Sequence, residues 1–294
     1  MKSDSLGPVV ALNFHVWQPC NMGCRYCFAE FSDSVKQLQA DKAQLRQRAL
    51  TVIEAAAKAG IRKLTLVGGE PTLCPWLLDL LQHAKSLGLV TMLVSNGAKM
   101  QDEFWLPTHA PWLDWVALSI DSTSQEVNQK IGRMVRRNVV PDGVFYTTIL
   151  RRLHAAECRL KVNTVVSSLN WQEDFTRFFE GVRIERWKVL QALHVTGEND
   201  AAFPEIGVTP EQFNDFVQRH MLLSQHITLA IENNDAMRGS YMMVDPLGRF
   251  FSNVHGGHRY SAPIWAVGWD EARRQVAIDE EKFLARGGLY DWGN

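Results

Sequence analysis

Short runs rich in leucine and β-branched residues alternate with helical segments along the first two thirds of the chain, and this alternation constrains the fold most strongly. Between the first two runs, apolar residues such as Leu45, Ala49 and Val52 recur at helical spacing, and Gly60 follows as a C-terminal cap. Strands that alternate with helices form a parallel sheet that can curl into an incomplete barrel. The sequence therefore predicts an α/β fold, a partial (βα)6 barrel of the TIM type, with its active site at the C-terminal ends of the strands. The predicted strands are residues 9–16, 64–67, 89–94, 115–120, 160–166 and 186–193.

The last third of the chain lacks this alternation. It contains a predicted helix at residues 211–220, a predicted hairpin at 241–251 and a glycine-rich end. The sequence has no repeat or flexible linker here, so we expect residues 1–197 to form the barrel and residues 198–294 to pack on it as a C-terminal extension of one structural unit. A chain of 294 residues is long enough to bury such a core.

The charge of the chain is balanced, with 31 lysine and arginine residues against 32 aspartate and glutamate residues. A balanced charge provides no field that attracts nucleic acid or anionic lipid, so we expect no direct binding of nucleic acid and no membrane partner. The sequence has no apolar run near the roughly 20 residues of a membrane span, and residues 1–7 lack the basic and apolar regions of a signal peptide. These features predict a cytoplasmic protein.

Three of the five cysteines are crowded into one loop directly after the first predicted strand. Cys20, Cys24 and Cys27 form the pattern CxxxCxxC. Thiolates hold iron–sulfur clusters, and a [4Fe–4S] cluster bound by three cysteines leaves one iron free to chelate a ligand. The alternative is a structural zinc site with His15 or a distant cysteine as its fourth ligand, although such sites usually pair CxxC with a second pair. The two remaining cysteines are predicted to be buried apolar residues, namely Cys74 and Cys158.

A CxxxCxxC motif with an aromatic residue before its last cysteine, here Tyr26, resembles the hallmark of the radical S-adenosylmethionine (SAM) superfamily. Gly68, Gly69, Glu70 and Pro71 at the end of the second predicted strand match the superfamily's GGEP motif. The resemblance implies that this backbone and the glutamate meet the amino group of SAM, because glycines allow close approach and a carboxylate suits an ammonium group. A simple turn is the alternative for GGEP alone.

The same resemblance places further SAM contacts at the ends of later strands or just beyond them. Each of these residues could instead be a loop cap. They are Ser95, Asn96, Ser119, Asp121 and Arg133.

Charged residues also lie within predicted strands that should be apolar if both faces of the sheet are covered. Lys161 and Asn163 are two residues apart in one strand, and Arg186 and Lys188 are two apart in the next, so each pair points to one side. Facing inward together with Lys63, they would gather up to four positive charges in one cavity. An anion such as a triphosphate would offset the cost of burying them. The alternative is that they face outward at frayed strand ends.

Longer stretches of the chain resemble the viperin family of radical SAM nucleotide dehydratases. The matching stretches begin at Asn13, Asp121, Lys161, Glu185, Gly197, Glu232 and Asp279. The resemblance implies that the triphosphate of a nucleotide is held by Lys63, Lys161, Arg186 and Lys188, with help from Asn163. It also implies that the ribose lies near Asn13 and His15. Tyr241 becomes a candidate catalytic donor of a hydrogen atom or a proton.

The resemblance further implies the cofactors and the reaction. A [4Fe–4S] cluster, reduced by an external one-electron donor, cleaves SAM to a 5′-deoxyadenosyl radical, which takes the C4′ hydrogen of CTP, UTP or GTP. Loss of the 3′-hydroxyl as water and uptake of another electron give a 3′-deoxy-3′,4′-didehydro nucleotide. This product stops chain extension, which implies an antiviral role.

Two other classes of function remain open. One is another radical SAM enzyme that acts on a phosphorylated nucleotide, although GTP cyclases of this kind carry a second, C-terminal cysteine cluster. The other is an iron–sulfur sensor that binds a nucleotide to control a partner. Production of 5′-deoxyadenosine would separate an enzyme from a sensor.

Three features depart from the viperin pattern. Animal members carry an amphipathic N-terminal helix, whereas this chain begins almost directly with its first predicted strand, so we expect it to resemble the prokaryotic members. Val67 stands before Gly68 in place of a frequent serine, which removes one hydroxyl contact to SAM. Phe28, Ala29 and Glu30 replace the usual F-H-T after the last cysteine.

The final segment, residues 283–292, is predicted to order over a bound nucleotide. Gly287 and Gly288 permit a mobile loop, and Arg286 can reach a phosphate. Closure of this segment would shield the radical from water. The alternative is a fixed segment whose aromatic residues simply cover the barrel.

Overall fold

The computed structural model describes residues 9–31, 42–135 and 139–293. Within them, ten strands form one sheet. The strands are β1 (Ala11–Trp17), β2 (Lys63–Gly68), β3 (Val90–Ser95), β4 (Trp115–Ser119), β5 (Arg159–Val166), β6 (Arg186–Gln191), β7 (Thr228–Glu232), β8 (Met243–Val244), β9 (Arg249–Ser252) and β10 (Arg259–Pro263).

The first seven strands pair in chain order, each parallel to the next. All six predicted strands are confirmed, and their ends differ from the prediction by at most two residues. In β5 and β6, Lys161 lies opposite Arg186 and Asn163 lies opposite Lys188, so the polar pairs of the two strands are neighbours. This parallel α/β arrangement confirms the predicted partial barrel.

The sequence does not predict β7, which extends the parallel sheet by one strand. It pairs with β6, with Thr228 opposite Arg186, and forms one edge of the sheet. Because it is an edge strand, Thr228 and Ile231 are exposed, and polar residues mix with apolar ones along its length. This mixture hides the apolar run that marks the central strands.

The chain after residue 197 also adds to the other edge of the sheet. β8 pairs with β1 in parallel, with Met243 opposite Asn13, and β9 and β10 follow in antiparallel pairing. The predicted hairpin at residues 241–251 is confirmed by β8 and β9. The sheet therefore crosses the predicted boundary at residue 197, and the division into barrel and extension stays a prediction.

Helices connect the strands, and the helix that follows the cysteine loop ends as predicted. Gly60 has a φ of +87°, the left-handed conformation of a C-terminal cap, and its amide donates to the carbonyl of Ala57. The predicted helix at residues 211–220 is confirmed, beginning one residue earlier behind a capping box formed by Thr209 and Gln212. No helix in the described ranges is long and apolar enough to cross a bilayer. The α-helices are Lys42–Lys58, Leu77–Ser86, Trp105–His109, Gln125–Ile131, Gly143–Ala155, Thr176–Glu180, Phe203–Ile206, Pro210–His220, Asn234–Met237, Ile264–Val267, Trp269–Arg274 and Glu280–Ala285, and 3-10 helices are found at Pro71–Leu73, Ala98–Gln101, Ala110–Trp112 and Met221–Gln225.

The main apolar core lies between the strands and the surrounding helices, and it includes Cys74 and Cys158, which confirms that these two cysteines are buried. A second apolar cluster closes the end of the barrel where β3 and β4 begin. In it, Trp292 packs with Trp115, and the indole nitrogen of Trp115 donates to the carbonyl of Trp292 at 2.9 Å. The C-terminal segment therefore covers the N-terminal ends of these strands.

Candidate active site

One cavity of about 610 Å³ is enclosed by the curved sheet. Its wall reaches from the C-terminal ends of the strands, at Gly68 and Ser119, to their N-terminal ends, at Lys63 and Arg186. The four strand cations that were predicted to face inward line this cavity: Lys63, Lys161, Arg186 and Lys188. Every residue that the sequence analysis assigned to the site lines this cavity: Asn13, His15, Cys20, Cys24, Tyr26, Cys27, Lys63, Gly68, Gly69, Glu70, Ser95, Asn96, Ser119, Asp121, Arg133, Lys161, Asn163, Arg186, Lys188, Tyr241 and Arg286.

The loop that carries the three cysteines is braced by the turn at residues 131–133. The amide of Gly23 donates to the carbonyl of Gly132 at 3.1 Å, and the amide of Arg25 donates to that of Ile131 at 2.9 Å. Gly132 has a φ of +89°, and a Cβ atom there would come within 2.1 Å of the Gly23 carbonyl oxygen. Only glycine allows this approach, so the turn acts as a template for the cysteine loop.

The three thiols line one cavity together, as an iron–sulfur cluster with three cysteine ligands requires. In the part of the chain that the structure describes, no three His, Cys, Asp or Glu side chains converge closely enough to hold one metal ion. The cysteines of a three-cysteine [4Fe–4S] site each bind a different iron, so they need no common point of contact. Burial raises the pKa of Cys20 to about 11 and that of Cys27 to about 12, so iron has to displace thiol protons when it binds.

The two glycines of the GGEP motif allow close packing within the chain itself. A Cβ atom at Gly68 would lie 2.2 Å from the carbonyl oxygen of Trp17, and one at Gly69 would lie 2.0 Å from that of Gln18. These contacts hold the end of β2 against the segment that leads into the cysteine loop. The close approach that these glycines permit here is to the protein backbone, and their approach to SAM stays a prediction.

Glu70 is buried and anchors the loops around it. Its carboxylate accepts hydrogen bonds from the amide and hydroxyl of Thr72, from the hydroxyl of Ser95 at 2.8 Å and from the amide of Asn96 at 2.8 Å. The side-chain amide of Asn96 in turn donates to Asn21 in the cysteine loop at 2.7 Å. The network thus orders three loops at the C-terminal ends of the strands. A contact between Glu70 and SAM stays a prediction.

Asp121 and Arg133 form a buried ion pair at 2.6 Å beside the cysteine loop. The hydroxyl of Tyr26 donates to Asp121, and Arg133 also donates to the backbone carbonyl of Ser119 at 2.5 Å. A third contact joins Arg133 to the sulfur of Cys24 at 3.8 Å. This pair fixes the loop between the second and third cysteines, and its predicted role in binding SAM stays a prediction.

Basic side chains gather at the opposite end of the cavity. Lys63 donates to the hydroxyl of Tyr290 at 2.5 Å, and Arg186 donates to the carbonyl of Gly287 at 3.1 Å, so both contact the C-terminal segment. Burial, reinforced by the neighbouring cations, lowers the pKa of Lys63 and of Lys161 well below the usual range. An anion bound at this end would raise these pKa values and stabilise the charged forms of the lysines.

Comparisons with known proteins agree with this geometry. Residues 16–206 match the profile of the Radical SAM superfamily. A protein of Flammeovirga pacifica named "S-adenosylmethionine-dependent nucleotide dehydratase" is 40% identical over 285 residues, which cover 97% of this chain and 96% of that protein. The chain belongs to this dehydratase family.

Other members of the dehydratase family are also similar to the chain. A protein with the same name from Lacinutrix mariniflava is 43% identical over 292 residues, which cover 99% of this chain but only 60% of that protein, so the chain spans less than two thirds of this relative. The "S-adenosylmethionine-dependent nucleotide dehydratase RSAD2" of Oncorhynchus mykiss is 32% identical, with coverage of 96% and 80%.

Solved structures with low sequence identity share the fold. SuiB of Streptococcus suis bound to S-adenosylmethionine has a TM-score of 0.62 at 17% identity, covering 82% of this chain and 59% of that chain. Membership of the dehydratase family implies a [4Fe–4S] cluster and SAM as cofactors, which the three cysteines and the cavity beside them fit.

Glu232 is not among the residues that the sequence predicts for the site, although it contacts residues that line the cavity. It ends β7, is fully buried, and contacts three predicted site residues: Lys188, Tyr241 and Arg286. Burial alone would raise the pKa of Glu232, but Lys188 and Arg286 outweigh it and hold that pKa at about 2. Glu232 begins one of the stretches that resemble the viperin family, but the sequence does not predict its strand, so no pattern placed its carboxylate beside the cations of β6.

Among the described residues, three buried polar atoms on the cavity wall have no hydrogen-bond partner. They are Nδ1 of His15, Oδ1 of Asn163 and Nε of Arg186. Burial lowers the pKa of His15 to about 3, so its imidazole is neutral at physiological pH. Buried polar groups are normally hydrogen-bonded, so these atoms suit a polar ligand in the cavity.

Proposed function

We propose that this protein converts a ribonucleoside triphosphate, CTP, UTP or GTP, into its 3′-deoxy-3′,4′-didehydro analogue. The observation that carries the proposal is one cavity that joins the three cysteines to a buried group of cations. The cysteines follow β1 near the C-terminal end of the sheet, whereas Lys63 and Arg186 begin their strands. A ligand that reaches both ends needs a reactive part and a distant anionic part, as a nucleoside triphosphate has.

The length of the strands supports a nucleotide that lies along the barrel. Lys63 begins β2 and Gly68 ends it, so the two are separated by about 17 Å at about 3.3 Å per residue. Phosphates bound near Lys63 therefore leave the ribose and base in the middle of the cavity. Asn13 and His15 line the cavity opposite Thr65 and Val67, between the two ends of β2, which supports their predicted place beside the ribose.

The end of the cavity that is lined by lysines and arginines, here called the cation end, has a charge that favours a triphosphate over shorter phosphates. Among the described residues, five basic side chains line it, and when a bound anion keeps all of them protonated, Glu232 behind them reduces their sum from five positive charges to four. A nucleoside triphosphate carries about four negative charges at neutral pH, so it balances the group. A monophosphate would leave buried cations without partners, which is costly. The cations are Lys63, Lys161, Arg186, Lys188 and Arg286.

The protein's contribution to the reaction is positioning and shielding. When bound, the cluster and SAM supply a carbon radical that can take the C4′ hydrogen. The cation end fixes the triphosphate. The cavity wall holds the ribose so that C4′ faces the end of the cavity that is lined by the three cysteines. Tyr241 is proposed to transfer the proton that the departing 3′-hydroxyl needs to leave as water. Residues 287–292 close the cation end and exclude bulk water there.

The proposal includes several predictions about the protein's surroundings. An external donor supplies one electron for the cleavage of SAM and one for the nucleotide radical. The protein acts in the cytoplasm without contacting nucleic acid directly. Its product lacks the 3′-hydroxyl that polymerases extend, so it would act against viruses by chain termination.

The experiment that tests the proposal uses anaerobically reconstituted protein with SAM, dithionite and each nucleoside triphosphate in turn. The expected result is 5′-deoxyadenosine together with a nucleotide that is lighter by the mass of one water. A triphosphate deuterated at C4′ should transfer its deuterium to 5′-deoxyadenosine. The surface variant Lys58→Ala should behave like wild type. If 5′-deoxyadenosine forms without any nucleotide product, or if no nucleotide changes its yield, the proposed reaction is wrong.

A further inference from the structure

Glu232 lies behind the cavity wall and joins three side chains that line the cavity. One carboxylate oxygen is 2.5 Å from Nζ of Lys188 and 3.3 Å from Nη1 of Arg286, and the other accepts a hydrogen bond from the hydroxyl of Tyr241. The three partners come from β6, the segment before β8 and the end of the last helix. Glu232 thereby connects the barrel to the C-terminal segment.

A buried carboxylate at this place opposes phosphate binding, because like charges repel in a medium of low dielectric constant. Its contribution therefore has to lie in what it does to its neighbours. Burial lowers the pKa of Lys188 to about 8, and Glu232 opposes this fall. Without Glu232, Lys188 would lose its proton nearer to neutral pH, as buried lysines commonly do.

The surroundings of Lys188 are otherwise mostly cationic. These neighbours disfavour its charged form, and Tyr241 accepts a hydrogen bond from its Nζ at 2.6 Å. Glu232 is the acidic group in contact with Lys188 among the described residues. The charged and titratable groups that face Lys188 are Lys63 from β2, Lys161 from β5, Arg186 from β6, Glu232 from β7, Tyr241 and Arg286.

We propose that Glu232 is a positioning residue, which keeps Lys188 charged for the nucleotide phosphates and holds the Tyr241 phenol in place at the cavity wall. In the free protein the hydroxyl of Tyr241 donates to Glu232 and accepts from Lys188, so it has to turn from Glu232 to the substrate before it can transfer its proton. Arg286 stacks over the Tyr241 ring at 3.7 Å and holds the phenol from its face. The inference rests on the proposed function, since it assumes that phosphates bind at this end.

The first test measures protons taken up when a nucleotide binds, and it does not depend on turnover. Titration calorimetry of CTP, UTP or GTP is done at pH 7.5 in buffers with different ionisation heats. In wild type, Lys188 is largely charged before binding. In Glu232→Gln, it should be largely neutral and become charged with the nucleotide, so the variant should take up about 0.5 proton more per nucleotide. Equal proton uptake in the two proteins would overturn the proposal.

The second test is the pH dependence of kcat/KM for the nucleotide, which reports groups of the free enzyme. In Glu232→Gln, the alkaline limb of the profile of kcat/KM against pH should move to lower pH by about one unit or more. Glu232→Asp keeps the carboxylate and should move the limb back towards the wild-type position. Glu126→Gln removes a glutamate that pairs with Lys130 on the surface, so it serves as the matched control and should leave the profile unchanged.

The outcomes separate the inference from the proposed function. If the wild type binds triphosphates but does not dehydrate them, the proposed reaction fails and the proton count still tests Glu232. If Glu232→Gln has a lower melting temperature but an unchanged pH profile and proton count, Glu232 is only structural and the inference is overturned. If Glu232→Gln does not fold, the same two measurements on Glu232→Asp decide, because a carboxylate drawn back by one methylene should give a smaller shift in the same direction.

Discussion

At the scale of single residues, the site combines groups whose charge states depend on burial. The thiols of Cys20 and Cys27 hold their protons in the free protein, and the lysines of the cation end are poised to lose theirs. A ligand of opposite charge stabilises the charged form of each group: iron stabilises the thiolates, and phosphate stabilises the protonated lysines. Burying these groups therefore costs free energy at both ends of the cavity, and binding of the cluster and of a phosphate would lower that cost.

Replacing any one of Cys20, Cys24 and Cys27 with alanine should abolish iron–sulfur absorbance and SAM cleavage together, because each thiolate holds one iron. Iron content and the yield of 5′-deoxyadenosine check this. Cys158→Ala is the matched control, because Cys158 is buried in the apolar core, and it should retain both. A cluster-site variant that cleaves SAM at the wild-type rate would show that the cysteines do not hold the cluster.

Lys161→Ala should weaken nucleotide binding by about 1.5–3 kcal/mol, or roughly 10- to 150-fold, because charge-assisted contacts to phosphate are strong. SAM affinity should stay nearly intact, and discrimination between triphosphate and monophosphate should fall. Equilibrium binding of each ligand measures these effects, with Lys58→Ala as the surface control. Unchanged nucleotide affinity in Lys161→Ala would place the phosphates elsewhere.

The same variant has an expected effect on stability. The pKa of Lys161 in the folded protein is below its unfolded value, so the unfolded chain binds more protons and the buried lysine destabilises the fold at neutral pH. This cost shrinks as the pH rises towards the unfolded pKa. Lys161→Ala should therefore melt at an equal or higher temperature than the wild type at pH 7, and the difference should narrow at higher pH.

At the scale of elements, the fold brings loops together through backbone contacts that only glycine permits. The turn at Gly132 supports the cysteine loop at Gly23, and the end of β2 at Gly68 and Gly69 packs against the segment that enters that loop. The cysteine loop is thus held from two sides before any cluster binds. This support explains how a loop with few apolar residues can present three thiols to one cavity.

Gly132→Ala should impair cluster assembly, because the added Cβ would lie 2.1 Å from the Gly23 carbonyl oxygen and the residue has a φ of +89°. Gly60→Ala is a matched control, since Gly60 has nearly the same φ, +87°, and nothing within 4 Å of an added Cβ. Both variants carry the conformational cost of roughly 1–2 kcal/mol, but only Gly132→Ala should lose iron. Equal iron content in the two variants would show that the turn does not shape the loop.

At the scale of the whole molecule, the cation end is assembled from parts of the chain that are far apart. Lys63 comes from β2, Lys161 from β5, Arg186 and Lys188 from β6, and Arg286 from the C-terminal segment. The same segment closes the barrel through Gly287, Tyr290 and Trp292. The end of the chain is therefore both a wall of the cavity and its cover.

Deleting the residues after Arg286 should uncouple SAM cleavage from nucleotide dehydration and lower the melting temperature, because the buried Trp292 would no longer pack against Trp115. Coupling should be lost because Arg186 and Lys63 would lose their contacts with the segment and water would reach the nucleotide. The ratio of 5′-deoxyadenosine to nucleotide product measures the coupling. Fully coupled turnover in the truncated protein would show that the segment does not shield the nucleotide.

The sequence by itself determined the strands, the cysteine loop and the inward direction of the strand cations, because each depends on local spacing. Alternation along a strand decides which side chains share a face, and Lys161, Asn163, Arg186 and Lys188 followed this rule. The viperin-like stretches added residues such as Tyr241 that spacing alone would not have singled out. The position of every predicted site residue on one cavity wall followed from these two sources.

Only the tertiary structure decided which groups meet across the barrel. Glu232 contacts Lys188, Tyr241 and Arg286 because β7 pairs with β6 and the C-terminal segment folds back over the same end, and neither event leaves a periodic pattern in the sequence. The partners of Gly68 and Gly132 are likewise backbone atoms far away along the chain. Local spacing sets the face on which a side chain lies, whereas the curl of the sheet and the path of the chain end set its neighbours.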